Sequence, residues 1–152
     1  MNLLPVPLHN QRQAADCLPA CAAMVLDFLG QPADYDSLLR TLGTTTYGTV
    51  ASRVTRLARP DRLVHYREGS LADLHTWLDQ GLPVIVLVKT GELPYWTYTT
   101  LHAIVLVGYD ADHVFANDPH FAAAPLAIPT GDFELAWLEM GNRYIVFEPT
   151  AP

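Results

Sequence analysis

Cysteine is scarce in this chain, with Cys17 and Cys21 the only two in 152 residues. Two are too few for a disulfide scaffold, so the fold must rest on an apolar core, and a reducing compartment, the cytoplasm, is expected. Basic residues are few as well: nine Lys+Arg against sixteen Asp+Glu leave a formal net charge of −7. No basic run reverses this locally, which excludes nucleic acid and anionic membrane surfaces as expected partners. Long apolar runs are also missing. The longest, LPVIVLV (82–88) and LHAIVLVGY (101–109), fall far short of the roughly 20 residues a membrane-spanning helix needs. The opening MNLLPVPLHNQRQ lacks a basic start and is broken by two prolines, so it is not read as a signal peptide. Repeats, low-complexity segments and linkers are absent too, and one domain over residues 1–152 is expected.

What is present is a foldable chain. Half of it is hydrophobic (50%), with a mean hydropathy of +0.13, unlike a disordered segment. Asp16 is placed to cap a helix through LPACAAMVLDFL, with Gly30 ending it. Apolar residues surround that helix nearly completely, which predicts a buried central position. A second helix fits DYDSLLRTLG, and VASRVTRLAR is amphipathic and reads as helical. RLVHY reads as a strand, and GSLADLHTWLDQG as a helix with a Ser70 cap. LPVIVLVKT and LHAIVLVGY read as core strands, the latter joined to HVFAND by a DAD turn, a hairpin signal. PLAIP and RYIVFEP read as further strands, with a short helix in GDFELAWLEMG between them. Helices first and clustered strands later predict an α+β fold, with helices against one mostly antiparallel sheet.

The chemistry concentrates at four positions. Cys17 falls at a helix N-terminus, where unpaired backbone N–H groups and the helix dipole stabilise a thiolate. A thiolate nucleophile needs an imidazole held by a third group. Among six histidines, His102 opens the strongest strand and Asp118 ends its hairpin partner. Facing residues across that hairpin should sum to about 221–223, which puts Asp118 opposite residue 103, give or take two. Pro119 restricts Asp118 to an extended backbone. Gln11 lies ahead of the cysteine, where a side-chain amide could donate to the oxyanion of a tetrahedral intermediate beside the Cys17 N–H. Inert alternatives stay open at each position: a packed cysteine, a strand histidine, a turn acid, a solvated glutamine. Cys21 reads as core, and a Cys17–Cys21 disulfide would be strained within one helical turn. His113 and His120 lie near the hairpin, but the spacing matches no zinc pattern and no cofactor is expected. The aromatic PYWTYTT stretch before His102 is read as one wall of a substrate cleft.

The ordered set Q-x4-DC-x-PAC-x-x-M-V-L-x-x-L-G, YGT (47–49), LHAIVLVGYD, NDP and F-x-x-x-W…YIVFEP resembles the papain-like cysteine peptidases that process bacteriocin leaders, the double-glycine leader peptidase family and its stand-alone relatives. The resemblance covers nearly the whole chain. It implies a papain-like fold with a buried nucleophile helix packed on the sheet, and a peptide or protein substrate. It also assigns nucleophile, general base, orienting acid and oxyanion donor to Cys17, His102, Asp118 and Gln11. Two features depart from the pattern. Leu18 follows the cysteine where the family has glycine, which reshapes the cleft beside the nucleophile. The exporter and ATPase parts of the processing enzymes have no counterpart in these residues, which points to a stand-alone enzyme or the degenerate domain of another system. The same apparatus would serve an amidase or transpeptidase, and a non-catalytic peptide-binding domain would keep the same fold.

Overall fold

The structure is a computed structural model and describes residues 2–151. Four α-helices and six strands follow in the order α1 (Cys17–Phe28), α2 (Tyr35–Leu42), β1 (Arg62–Glu68), α3 (Leu71–Asp79), β2 (Val84–Lys89), β3 (Leu101–Tyr109), β4 (His113–Asn117), β5 (Leu126–Pro129), α4 (Thr130–Leu138) and β6 (Arg143–Pro149). The strands form one sheet in the order β1-β6-β2-β3-β4-β5, and every neighbouring pair is antiparallel.

Helices cover both faces of this sheet. Ile85, Leu87, Ala103, Val105 and Val107 pack with α1 and α2 on one side. Val84, Val86, Val88, Ile104 and Leu106 pack with α3 and α4 on the other. Successive side chains of a strand point to opposite faces, so a strand buried on both sides loses its polar alternation. That is why β2 and β3 read as unbroken apolar runs although their pairing is antiparallel. The sheet expectation holds, with the addition that the later helices α3 and α4 close the second face.

Local signals act largely as the residues dictate. Asp34 caps α2 by accepting the Ser37 N–H at 3.0 Å, and Gly43 ends the helix in the left-handed region at φ 62°. Ser70 and Asp73 form a reciprocal capping box on α3. The segment VASRVTRLAR forms a 3-10 helix at Ala51–Leu57 in place of an α-helix. The β3–β4 hairpin pairs Val105 with Asn117 and Leu106 with Ala116, then shifts register between Leu106 and Gly108. The N-terminal segment crosses that bulge: Leu4 donates its N–H to the Val107 carbonyl at 2.8 Å, and the Asn117 amide donates to the Val6 carbonyl at 2.9 Å. A Cβ on Gly108 would meet the Asn2 carbonyl oxygen at 2.8 Å, so only glycine admits this crossing strap.

Asp16 departs from expectation. Its side chain makes no capping hydrogen bond to α1. The carboxylate turns back, accepting the N–H of Gln13 at 2.7 Å and of Arg12 at 3.3 Å, and it accepts the Tyr35 hydroxyl in a short bond. It therefore shapes the loop that leads into α1 from outside the helix.

Candidate active site

Helix α1 runs through the core with Leu18–Leu26 buried, so its first residue is delivered to a fixed point beside the sheet. Cys17 is partly exposed there, and Cys21 is fully buried one turn further on. Burial pushes the Cys21 thiol well above its ordinary pKa, helped by the charges of Cys17 and Asp118. Cys21 is thus held as an uncharged core group.

His102, the second residue of β3, lies beside Cys17 at a cleft of about 410 Å³. Its Nε2 is 2.7 Å from Asp118 Oδ1, and both side chains are shut off from solvent, at 3% and 0% exposure. The hairpin register explains the meeting. Facing residues sum to 222 at Val105/Asn117, which carries Asp118 toward residue 104, two places from His102. Burial disfavours the imidazolium, but the hydrogen bond and charge of Asp118, with a further contribution from Cys17, raise its pKa to about 9. Cys17 and His102 line the cleft together. Burial likewise opposes the Asp118 carboxylate, and the bond to His102 outweighs it, leaving its pKa below the ordinary value.

Asp118 is served by more than His102. Its Oδ1 also accepts the His120 N–H at 2.9 Å. Its Oδ2 accepts the Tyr95 hydroxyl at 2.8 Å and the Trp96 indole N–H at 3.0 Å. Tyr95 and Trp96 belong to the PYWTYTT stretch. Only Thr100 of that stretch lines the cleft, so the aromatic loop mainly backs the aspartate, whereas the sequence reading made it a cleft wall. The signal was present in the run of aromatics just before His102; which way the rings face is a tertiary matter.

Gln11 sits apart from the cleft lining. Its Nε2 donates to the carbonyls of Gln13 at 3.0 Å and Ala14 at 3.1 Å. Its Oε1 is buried without a partner. The two carbonyls fix the amide this way round, since the flipped amide would set oxygen against oxygen. The chain also ties this segment to the far side of the site: the Gln11 N–H and the Asn10 side-chain amide each donate to the Pro119 carbonyl at 3.0 Å, and the Asn10 amide also to the Phe121 carbonyl at 2.8 Å. The structure therefore gathers Cys17, His102 and Asp118, and holds Gln11 on the loop next to them.

A cysteine opening a buried helix, with an Asp-held histidine from an antiparallel sheet, defines the papain-like class of architecture. The chain belongs to the Peptidase_C39-like family, whose sequence model matches residues 3–145. It is 24% identical over 190 aligned positions to the uncharacterized protein YvpB of Bacillus subtilis (strain 168), covering 95% of this chain and 75% of that one. Among solved structures, a protein of Bacillus anthracis described as a C39-like peptidase superposes with a TM-score of 0.83 at 21% identity, covering 99% of this chain and 98% of that one. A double-glycine-motif protease from an AMS/PCAT transporter, in complex with its leader peptide, gives 0.76 at 22% identity, with 98% and 95% covered. The peptidase domain of Streptococcus ComA gives 0.75 at 21%, with 94% and 98% covered. The fold is that of the C39 peptidases.

Proposed function

We propose that this chain is a cysteine peptidase with Cys17 as nucleophile, His102 as general acid and base, and Asp118 as the group that orients His102. The observation that carries this reading is the dry 2.7 Å His102–Asp118 pair beside a partly exposed cysteine at a helix N-terminus. The Cys17 sulfur attacks a peptide carbonyl, and His102 gives its proton to the leaving amine as the C–N bond breaks. Water then hydrolyses the thioester, its proton passing to His102. The Cys17 backbone N–H is one donor for the oxyanion. Gln11 is the second, and to act so its amide must give up a bond to Gln13 or Ala14.

The substrate in this reading is a peptide, supported by the leader peptide bound in a neighbour of the same fold. The cleft is lined by Ala15, Leu18, Tyr47, Leu87, Leu101 and Met140 among others, and by no Asp, Glu, Lys or Arg. In a chain of net charge −7, this suits an uncharged, largely apolar segment next to the scissile bond.

Alkylation tests the reading directly. Iodoacetamide at pH 6 should modify Cys17 and leave Cys21 untouched, because an imidazolium-paired thiolate reacts there and a plain thiol hardly does. Cys17→Ala should abolish hydrolysis of any peptide the wild type cleaves. Gln11→Ala should lower kcat by about 10²–10³-fold with little change in KM, while Cys17 stays open to alkylation. If Cys17 reacts no faster than a free thiol and no peptide is cut, the chain is a binding domain on a peptidase fold.

A further inference from the structure

Asp118 is the most heavily bonded side chain of the site, and the catalytic reading uses only one of its bonds. Four donors converge on it: His102 Nε2 and the His120 N–H on Oδ1, the Tyr95 hydroxyl and the Trp96 indole on Oδ2. We propose that Tyr95 and Trp96 are positioning residues that clamp the far oxygen of Asp118, holding the carboxylate charged and turned toward His102. This inference rests on the peptidase reading above.

The geometry gives the clamp its physical basis. A fully buried carboxylate is costly unless its lone pairs are used. Removing water also removes its freedom to be re-solvated when a partner leaves. The two aromatic donors meet this need without competing for the His102 proton, since neither is charged and both attach to the oxygen His102 does not use. Trp96 also encloses the pair. Its ring lies edge-on to His102, with centroids 4.8 Å apart, and stacks on His120 at 4.6 Å. Tyr95 packs edge-on against Phe121 at 5.1 Å, so its hydroxyl cannot swing away freely.

The groups that face Asp118 are Cys21 from α1, His102 from β3, Tyr95 and Trp96 from the loop before β3, and His120 just downstream, with Cys17 facing His102. Tyr95 is held neutral and donating: burial raises its pKa, and the charge of Asp118 and the bond to it add to that. The sign of the clamp's effect follows. Loss of a donor to a carboxylate raises the carboxyl pKa. Asp118 then takes up a proton at a higher pH, and His102 loses its charged partner there.

The test is the rate of Cys17 alkylation by iodoacetamide against pH, measured on the intact protein. In the wild type the rate should hold well into the acid range. In Tyr95→Phe and in Trp96→Phe the acid limb should move up, by about one pH unit for each lost charge-assisted bond. Tyr98→Phe, in the same loop and with no bond from its hydroxyl to Asp118, should overlay the wild type. Variant profiles that overlay a wild type reactive in acid would overturn the clamp and leave the triad standing. So would a lowered melting temperature with an unmoved limb, because that is packing alone. A wild type that behaves as a plain thiol would overturn the triad, and the clamp with it.

Discussion

The β3–β4 hairpin carries a histidine–aspartate pair at each end. At the open end, His102 and Asp118 meet at 2.7 Å with side chains 3% and 0% exposed. At the turn, His113 Nδ1 and Asp110 Oδ1 meet at 3.2 Å with 40% and 35% exposed. Residue types are the same and the physics differs. Asp110 accepts the N–H groups of Asp112 and His113, and chiefly the first of these holds its carboxyl below the ordinary value. It closes a turn in contact with water, where ion pairs are weak. Asp118 is dry, fully bonded and holds the histidine that lines the cleft with Cys17. A histidine–aspartate contact gains chemical leverage only where solvent is removed and something reactive stands beside it.

Substituting the two histidines breaks this comparison most sharply. His102→Ala should cost peptide hydrolysis about 10⁶-fold, as loss of a triad base does, whereas His113→Ala should stay within about twofold, since surface changes leave such sites alone. The aspartates come next. Asp118→Asn should lower kcat by about 10⁴-fold, less than loss of the base, because an amide can still occupy the site but cannot balance the charge of the ring. Asp110→Asn should leave the rate unchanged and shift stability by no more than about 0.5 kcal/mol.

Stability against pH sharpens the contrast. The folded His102 pKa, at about 9, lies above its unfolded value of roughly 6.5. Its contribution is therefore complete below about pH 6.5 and is lost as pH rises toward 9. Asp118, with a lowered folded pKa, contributes above its unfolded value of about 3.9 and loses that contribution as pH falls. Denaturant titrations should show wild-type stability falling by of order 2 kcal/mol between pH 6.5 and 9, and His102→Ala should flatten that fall. The smallest effect belongs to the second cysteine. Cys21→Ala should cost on the order of 1 kcal/mol through a small buried cavity, with alkylation of Cys17 unchanged in rate.

The difference between the two pairs also explains what could be read before folding. Asp110 and His113 are three residues apart, and such a contact is a local turn. His102 and Asp118 are legible as a pair because a hairpin with a short turn fixes its own register, and a slip would have turned whole strands inside out. The sheet and most helix ends are legible for similar reasons: Asp34, Gly43 and Ser70 act on neighbours within four residues. Asp16 misled because its partner is Tyr35, on another helix. The PYW loop misled because a ring's facing is decided by Asp118 and His120, far along the chain. Gln11 could be picked out as a candidate, but its two carbonyl partners belong to a loop whose path is set by Asp16 and Tyr35. The helices on the second face were hidden in plain view: a strand apolar at every position is one covered on both sides.

The stitch between Asn10–Gln11 and Pro119–Phe121 sets when the site can exist during synthesis. Cys17 leaves the ribosome well before His102 and Asp118. Until the segment around Pro119 is made and docks on the loop at Asn10–Gln11, Cys17 stands without the two partners the proposed reading gives it. A fragment ending before that segment would keep Cys17 and lack Asp118. Assembly of the proposed site is thereby postponed until the long-range pairings of the sheet are in place.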